Sequence, residues 1–528
     1  MSAAAAPAPG SGKTRAATPE RADLGAWLAV AAGSLGALMA TLDISIVNSA
    51  LPVIQGEIGA SGTEGTWIAT SYLVAEIIII PLSAWLERVL GLRTFLLIAS
   101  ILFTAFSVVC GLSTTLTMMI IGRAGQGITG GALIPTAMTI IATRLPPDKQ
   151  PIGTAMFGAT AVLGPVLGPL VGGWLTEAYT WHYTFFINVP IGVLSLALLM
   201  IGLPAGKTKF ALLRQADWLG IAGLALGLGG LTVVLEDGQR ELWFDSPMIR
   251  NLTVVSVVGF VLLFLGQVLS EKPVIKLALL LDRSFAAVFA GALAVGAILF
   301  GITYLIPQYL ANVAGYNSFQ SGQIVLINGL PMLLMMPLVP ILIKTVDVRL
   351  AVGAGMLIMG IGCFTDTNLN PDSAGEAFYV GQILRGFGQV LALLFLNQAA
   401  VSSVSAEDAS DASGLFNAGR NLGGSFALAL VTIMQEKRTF LHERRLEEAL
   451  SRTSERVQDY VRAGAAGQAD MAGGMMRTLR LLGQQVTQQA TVMTYNDLFF
   501  IFAVLTCVLA PVCLLLRPLD TSKPMAAH

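Results

Sequence analysis

The stretch VLGPVLGPLVGGWL, residues 162–175, places four glycines and two prolines inside a long apolar segment. In water these residues would predict a loop, because proline removes an amide donor and clashes with the carbonyl of the fourth residue before it. Gly164, Gly168 and Gly172 nevertheless recur every four residues, and that spacing places them on one face of a helix. Whether the segment is a loop or a packed helix depends on the solvent that surrounds it.

The composition indicates that this solvent is a lipid bilayer. Of 528 residues, 55% are hydrophobic and only 12% are charged, whereas a typical soluble domain is about 25% charged. The four cysteines lie in apolar runs and the three histidines are dispersed, so the sequence predicts neither a disulfide framework nor a metal site. We therefore predict an all-α integral membrane protein that needs no cofactor and binds no nucleic acid.

Apolar windows divide the chain into spans. A membrane-spanning helix needs roughly 20 apolar residues, and the sequence contains fourteen such windows. The lysines and arginines of the connecting segments concentrate on one side, with seventeen there against two in the short loops of the other side. By the positive-inside rule both termini are predicted to be cytoplasmic, and we expect a multi-pass protein of the inner (cytoplasmic) membrane. The windows are residues 27–49, 66–86, 94–112, 116–141, 152–176, 183–203, 216–236, 251–270, 285–311, 320–343, 349–367, 377–402, 412–434 and 495–516.

Two segments half a chain apart resemble each other. IIGRAGQGITGGALIP, residues 120–135, and QILRGFGQVLALL, residues 382–394, each place an arginine early in a helix and follow it with small residues and a glutamine. Arg123 and Arg385 are 262 residues apart, which suggests two similar six-helix halves plus two extra helices. The predicted organisation is a disordered cytoplasmic tail (1–25), an N-terminal six-helix bundle (26–203), two additional helices (204–284), a C-terminal six-helix bundle (285–517) with a long extracytoplasmic loop (435–494), and a cytoplasmic tail (518–528).

In a bilayer the opening stretch favours a helix. Small residues every four positions allow the backbone of a second helix to approach closely. Pro165 and Pro169 would free backbone carbonyls that neighbouring helices or water can satisfy, so the helix should be kinked. A merely structural packing helix is the alternative to a functional one.

Several motifs then carry a family resemblance. GPVLGPLVGG, residues 164–173, resembles the gxxxGPxxGG motif that marks the fifth helix of drug:proton antiporters in the major facilitator superfamily. LDISIVNSALP (42–52) and GRAGQGITGGALIP (122–135) are similar to first- and fourth-helix motifs of its fourteen-helix branch. WHYTFFINVPIG (181–192) and LEDGQRELWFDS (235–246) resemble segments of the EmrB-type multidrug exporters. The matched antiporter-motif residues are Gly164, Pro165, Gly168, Pro169, Gly172 and Gly173, and the fourth-helix glycines are Gly127, Gly130 and Gly131.

The resemblance implies a major facilitator fold and a proton-driven efflux antiporter. Such a protein would export hydrophobic or amphipathic small molecules by alternating access between its two halves, with the proton as coupling ion. An uptake symporter on the same fold is one alternative. A membrane enzyme that acts on lipids is another, but the sequence shows no set of nucleophile, base and orienting residue.

Charged residues inside the spans are the candidates for proton coupling. A carboxylate in a membrane helix is costly when ionised and is therefore a functional candidate. Asp43 lies in the second half of the first span and Glu76 in the middle of the second. Arg123 is the natural positive partner, and its motif implies a part in proton transfer. Structural hydrogen bonding remains the alternative role for each of the three residues.

Two further segments bear on function. AWLERVLGLR, residues 84–93, departs from the superfamily pattern for a gating loop, because Arg88 stands where an aspartate is typical. In the outer loop Met475, Leu479, Leu482 and Val486 follow a nearly heptad spacing. Internal packing of this stripe is one interpretation. The other is contact with a periplasmic adaptor (membrane fusion) protein, and through it an outer-membrane channel, since EmrB-type exporters work with such an adaptor.

Overall fold

The computed structural model describes residues 22–146, 148–206, 208–270, 273–405, 408–450, 455–465 and 471–516. These residues form helices, connecting turns and no β-strand. The prediction of an all-α fold is therefore confirmed. Residues 1–21 of the predicted N-terminal tail and the whole predicted C-terminal tail, 518–528, lie outside the described residues.

Within the described residues fourteen long helices form the architecture, and we number them in chain order. Short helices connect some of them, at Gly62–Gly65, Tyr183–Phe186, Ala211–Arg214, Val339–Thr345 and Glu455–Ala465. The long helices are α1 (Leu24–Ile58), α2 (Trp67–Leu90), α3 (Leu92–Gly111), α4 (Leu116–Arg144), α5 (Gln150–Ala178), α6 (Asn188–Gly202), α7 (Trp218–Asp237), α8 (Pro247–Leu269), α9 (Arg283–Asn312), α10 (Ser318–Met335), α11 (Val348–Phe364), α12 (Tyr379–Ser402), α13 (Ala409–Ala449) and α14 (Met471–Leu509).

Every predicted span overlaps one of these helices, and the window 320–343 is divided between α10 and the short helix Val339–Thr345. By length and hydropathy, eight helical segments within the described ranges can cross a membrane, or nine when the two arms of the bent α5 are taken as one span. The number of fourteen crossings stays a prediction, which the positions of the helices fit.

Local signals in the sequence explain where the first helix begins and ends. The Asp23 carboxylate accepts a hydrogen bond from the Ala26 amide at 2.7 Å, which caps the N-terminus of α1. At the other end Gly59 has a φ of 73°, a left-handed conformation that glycine adopts without a Cβ penalty. The 35-residue α1 is thus delimited by a capping aspartate and a terminating glycine.

The helices pack as two similar halves. In the N-terminal half α1 packs on α5, α2 on α4, and α3 on α6; in the C-terminal half the matching pairs are α9 with α13, α10 with α12, and α11 with α14. The halves meet where α5 contacts α10 and where α2 contacts α13. The extra helices α7 and α8 pack on each other, and α7 also contacts α2 and α13. The arrangement fits the internal repeat that Arg123 and Arg385 indicated.

The long loop predicted at 435–494 is largely helical. α13 is a continuous helix of 41 residues and α14 one of 39, and the helix Glu455–Ala465 packs against α14. Hydropathy marks only the apolar part of each helix. The polar continuation is rich in glutamate, arginine, glutamine and leucine, which are good helix formers, so the helices do not end where the apolar windows end.

Candidate transport site

The glycine stripe lies against the first helix. α5 is helical throughout and bends by 44° between Gln150–Pro165 and Leu167–Ala178, as internal prolines lead one to expect. A Cβ added at Gly164 would lie 2.1 Å from Thr41 Oγ1, and one at Gly168 would lie 2.3 Å from Ser45 Cβ. The Ser45 hydroxyl also donates a 3.0 Å hydrogen bond to the Pro165 carbonyl. Only glycine permits so close an approach of α1 and α5 at these positions.

The same stripe continues to both sides of this contact. A Cβ at Gly172 would lie 2.2 Å from Ser49 Oγ, whereas one at Gly173 would lie 3.2 Å from the Phe319 amide nitrogen of α10. Gly172 therefore faces α1, and Gly173 faces the C-terminal half. The motif helix α5 therefore lies on the side of the N-terminal half that contacts the C-terminal half.

The structure joins Asp43 and Arg123 in a buried ion pair. Arg123 Nη1 lies 2.5 Å from Asp43 Oδ2, and the exposed fractions of the two side chains are 1% and 0%. Arg123 also donates to the Ile68 carbonyl at 3.0 Å and lies over the Tyr72 ring, 4.3 Å from its centroid. A buried pair survives only if further hydrogen bonds satisfy both groups, and this pair has them.

Polar side chains from three more positions complete the cluster around Asp43. Gln126 Nε2 and Asn188 Nδ2 donate to Asp43 Oδ1 at 2.9 and 2.7 Å, and both also contact the Ser107 hydroxyl, at 2.8 and 3.2 Å. The cluster therefore draws on α1, α3, α4 and α6. The hydrogen bonds of the Asp43 carboxylate and its partners therefore link the packing of four helices.

The sequence analysis noted Gln126 only as part of the repeated segment, and it did not single out Asn188 or Ser107. Gln126 lies in the GRAGQG segment and Asn188 in FINVPIG, so the signal was a polar side chain within a quoted motif. Ser107 gave no such signal, because serines are common in membrane helices. The other fourth-helix positions serve packing, since Cβ atoms at Gly127 and Gly131 would lie 2.3 Å from the Tyr72 carbonyl oxygen and 2.9 Å from Glu76 Cγ.

Glu76 lies at the interface between the halves, within electrostatic range of Asp43 and Arg123. Its side chain is 2% exposed and lies where α2 of the N-terminal half meets α13 of the C-terminal half. Arg420 and Asn421 of α13 are its neighbours there. The structure thus separates the two predicted carboxylates, one inside the N-terminal half and one at the interface between the halves.

The C-terminal half contains a second buried ion pair. Arg385 Nη1 donates to Asp366 Oδ2 at 2.6 Å, with the side chains 2% and 0% exposed. Asp366 follows the end of α11, which corresponds to α3 in the N-terminal half. Asp43 instead lies on α1, so the two arginines pair with carboxylates from helices that do not correspond. Sequence reasoning missed Asp366, although it is an acidic residue within an apolar window.

Arg88, which the sequence assigned to a loop, lies in the last turn of α2, and a charge on α13 matches it. Arg88 Nη1 lies 2.7 Å from Asp411 Oδ2, and the Asp411 side chain is 0% exposed. The adjacent residues are also paired, since the Ser410 hydroxyl donates to the Glu87 carboxylate at 3.0 Å. The two halves are therefore held together here by an arginine on the N-terminal side and an aspartate on the C-terminal side.

The outer stripe is only partly covered. Met475 and Leu479 are 41% and 46% exposed, whereas Leu482 and Val486 are half-buried. Thr478, on the same turn, is 4% exposed. The four predicted contact residues thus share one side of α14, and two of them are open to solvent.

Comparison with known proteins identifies the family. A sequence model described as the Major Facilitator Superfamily matches residues 33–428. The chain belongs to this superfamily. Because the superfamily consists of transporters, the chain is a transporter and not an enzyme. The relatives named below place it beside the EmrB multidrug export proteins, as the motifs had indicated.

Curated members of the superfamily match nearly the whole chain. The colistin resistance protein EmrB of Acinetobacter baumannii is 32% identical over 493 residues, which are 92% of this chain and 95% of the relative. The multidrug export protein EmrB of Escherichia coli K12 is 31% identical over 483 residues, or 90% and 92% of the two chains. The fatty acid resistance protein FarB of Neisseria gonorrhoeae is 29% identical, with 93% and 96% covered.

Solved structures of the superfamily share the fold. The human organic anion transporter MFSD10 superimposes with a TM-score of 0.56 at 15% identity and covers 91% of this chain and 99% of its own. The proton:xylose symporter XylE gives a TM-score of 0.54, also at 15% identity, with 91% and 94% covered. The predicted major facilitator fold is confirmed.

Proposed function

We propose that the protein is a proton-driven multidrug efflux antiporter of the inner membrane. It would take hydrophobic or amphipathic molecules from the cytoplasmic side, with both termini on that side, and release them outside. The buried Asp43–Arg123 pair supports this proposal most directly, because it places an ionisable group on α1, the helix that packs on the glycine helix α5. The names of the relatives, which record multidrug export and resistance, favour efflux.

The coupling step follows from the geometry of the cluster. A proton from outside that reaches Asp43 would remove the charge that holds Arg123, Gln126 and Asn188. Loss of these contacts would loosen α1 against α4 and α6, and α1 carries the tight contact with α5. A membrane potential supplies about 2.3 kcal/mol per charge per 100 mV, which is enough to bias such a change. Glu76, at the interface between the halves, is the second proposed proton carrier.

Inside-out vesicles test the direction of coupling. Their lumen corresponds to the outside of the cell and is first acidified by respiration. An antiporter should make the lumen more alkaline when a hydrophobic drug is added, because drug enters as protons leave. A symporter should instead make the lumen more acidic. No pH change with any member of a drug panel, in vesicles that contain the protein, would contradict proton coupling.

The accessory partners are a separate part of the proposal. A periplasmic adaptor, and an outer-membrane channel beyond it, would carry drug across a second membrane. The exposure of Met475 and Leu479 on the outer part of α14 supports an adaptor contact there. Co-purification of an adaptor with the protein tests it.

A further inference from the structure

The segment LEDGQRELWFDS, residues 235–246, ends α7 and forms the turn to α8 on the side predicted to be extracytoplasmic. Two consecutive residues of this turn, Leu242 and Trp243, have φ angles of 57° and 52°. No other non-glycine residue in the described ranges has a positive φ. This backbone conformation is costly for residues with a Cβ, and it persists only where the surrounding contacts hold it. The contacts of the turn therefore deserve an explanation.

The turn aims a glutamine side chain at the C-terminal half. Trp243 donates its backbone amide to the Gly238 carbonyl at 2.6 Å and its indole Nε1 to the Gln239 side-chain oxygen at 2.8 Å. With its oxygen held in this way, the Gln239 side chain donates from its amide nitrogen to the Glu436 carboxylate of α13. The strained turn thus positions a contact between α7 and the long helix of the C-terminal half.

Two adjacent carboxylates at the outer end of α7 differ in the partners that they need. Within the described residues, Glu236 accepts a single hydrogen bond, from the Ser425 hydroxyl of α13 at 2.8 Å. Asp237 is 1% exposed and lies beside Thr70 of α2, but its ion-pair partner is Arg240 of the same turn, at 2.5 Å. Separation of α7 from α13 would leave Glu236 without a donor, which is costly in apolar surroundings. Separation from α2 would leave the Asp237–Arg240 pair intact.

The cytoplasmic end of α7 is attached to the N-terminal half. The backbone amide of Lys209, in the segment before α7, donates to the Val89 carbonyl near the end of α2 at 2.7 Å. Trp218, the first residue of α7, packs edge-to-face on Trp85 of α2, with the ring centroids 6.4 Å apart. The two ends of α7 are therefore held by different halves of the protein.

We propose that α7 is a diagonal brace, whose cytoplasmic end moves with the N-terminal half and whose outer end moves with the C-terminal half. The inference rests on the proposed transport by alternating access, and it gives Glu236 and Gln239 a positioning role. When the halves rock, α7 tilts, and the surface of α2 around Thr70 slides past it while the contact between Glu236 and Ser425 stays closed. The brace thereby limits how far the outer ends of the two halves separate.

Three spin labels on the outer side test the brace. They are attached at Asp245→Cys in the α7–α8 turn, at Thr114→Cys in the N-terminal half and at Lys437→Cys on α13, all of them exposed positions. Cys507, the one exposed native cysteine, is replaced by serine. Double electron–electron resonance then measures each pairwise distance in the full chain in lipid nanodiscs, at acidic and at neutral pH, with the proton as the probe.

The expected distances follow from the geometry of the rocking motion. A relative rotation of about 15° around the centre of a hydrocarbon core roughly 30 Å thick moves the outer ends of the halves by about 4 Å. We expect a change of that size between Thr114 and Lys437 and between Thr114 and Asp245, with a constant distance between Asp245 and Lys437. A change between Asp245 and Lys437 as large as that between the halves would overturn the proposal.

Removal of single hydroxyl groups locates the attachment. Ser425→Ala deletes the donor to Glu236, so the outer end of α7 should detach and the distance distribution between Asp245 and Lys437 should broaden. Thr70→Val is the matched control, because it deletes the hydroxyl beside Asp237 on the other half and should leave that distribution unchanged. Equal broadening in both variants, or none in Ser425→Ala, would contradict the brace.

The brace and the export proposal fail in different ways. If the distance between Thr114 and Lys437 does not respond to pH, proton-driven rocking is wrong, and the comparison of Ser425→Ala with Thr70→Val still decides whether α7 is attached to α13. If that distance responds while Asp245 keeps a constant distance from Thr114, the brace is wrong and the export proposal stands.

Discussion

Asp43→Asn should abolish proton-coupled export without preventing insertion into the membrane. The variant keeps the size of the side chain but removes the charge that pairs with Arg123 at 2.5 Å. An asparagine also places an amide donor among three donors, from Arg123, Gln126 and Asn188, so at least one of these loses its acceptor. Breaking a buried ion pair typically costs about 3–5 kcal/mol. We expect a loss of stability of that size.

The second buried pair provides the matched control. Asp366→Asn removes the charge opposite Arg385, again from a side chain that is 0% exposed, so the loss of stability should be similar. It should retain drug-driven proton exchange. The measurement is the luminal pH change of inside-out vesicles per amount of drug transported, at equal protein content. A melting curve of each purified variant checks that the two are equally destabilised.

Two results would refute this reasoning. Proton exchange in Asp43→Asn at the level of the parent would show that Asp43 is not the coupling group, and Glu76→Gln would then be tested in its place. Loss of proton exchange in both Asp43→Asn and Asp366→Asn would mean that lower stability causes the effect. The Asp43–Arg123 pair would then have no special role in coupling.

Three further changes test other parts of the structure. Gly168→Leu should strain the α1–α5 contact by about 1–3 kcal/mol and lower drug resistance at equal expression. The control Gly56→Leu should have no effect, because nothing lies within 4 Å of a Cβ at that position. Normal resistance with Gly168→Leu would contradict the packing argument. Replacing Met475, Leu479, Leu482 and Val486 with serine should spare vesicle exchange but lower whole-cell resistance and adaptor recovery; equal adaptor recovery would assign the stripe to internal packing. Arg88→Asp should reduce transport by opposing Asp411, and Arg88→Asp with Asp411→Arg should restore part of it; a double variant no better than the single one would exclude the pairing.

The sequence predicted the charged residues of the site better than the polar residues that hydrogen-bond to them. Asp43 and Arg123 stand out because a charge in an apolar window is costly and therefore conspicuous. Gln126 and Asn188 carry no charge, and only the packing of α1, α4 and α6 shows that both donate to Asp43. The position of Glu76 was predicted within its own helix, but its neighbour Arg420 lies in the other half of the chain.

The fold was predicted well in the membrane-spanning segments, because the bilayer requires apolar residues there. The positions of the spans follow from hydropathy, and the repeat follows from the segments around Arg123 and Arg385. Hydropathy carries no information about helix beyond the membrane, so the lengths of α13 and α14 were not predicted. The ion pair between Arg88 and Asp411 was not predicted for another reason, because the two residues are 323 positions apart in the sequence.

The uninterrupted α13 can carry a small rotation of the C-terminal half to a point far outside the membrane. The helix begins beside Arg88 and continues for 41 residues without a break. At 1.5 Å per residue it is about 60 Å long, roughly twice the thickness of the hydrocarbon core. A tilt of about 10° around its middle would carry the far tip sideways by about 5 Å, given a half-length of about 30 Å. A tilt of α13 during each transport cycle would therefore move the outer end of the helix, and a protein bound to that end would move with it.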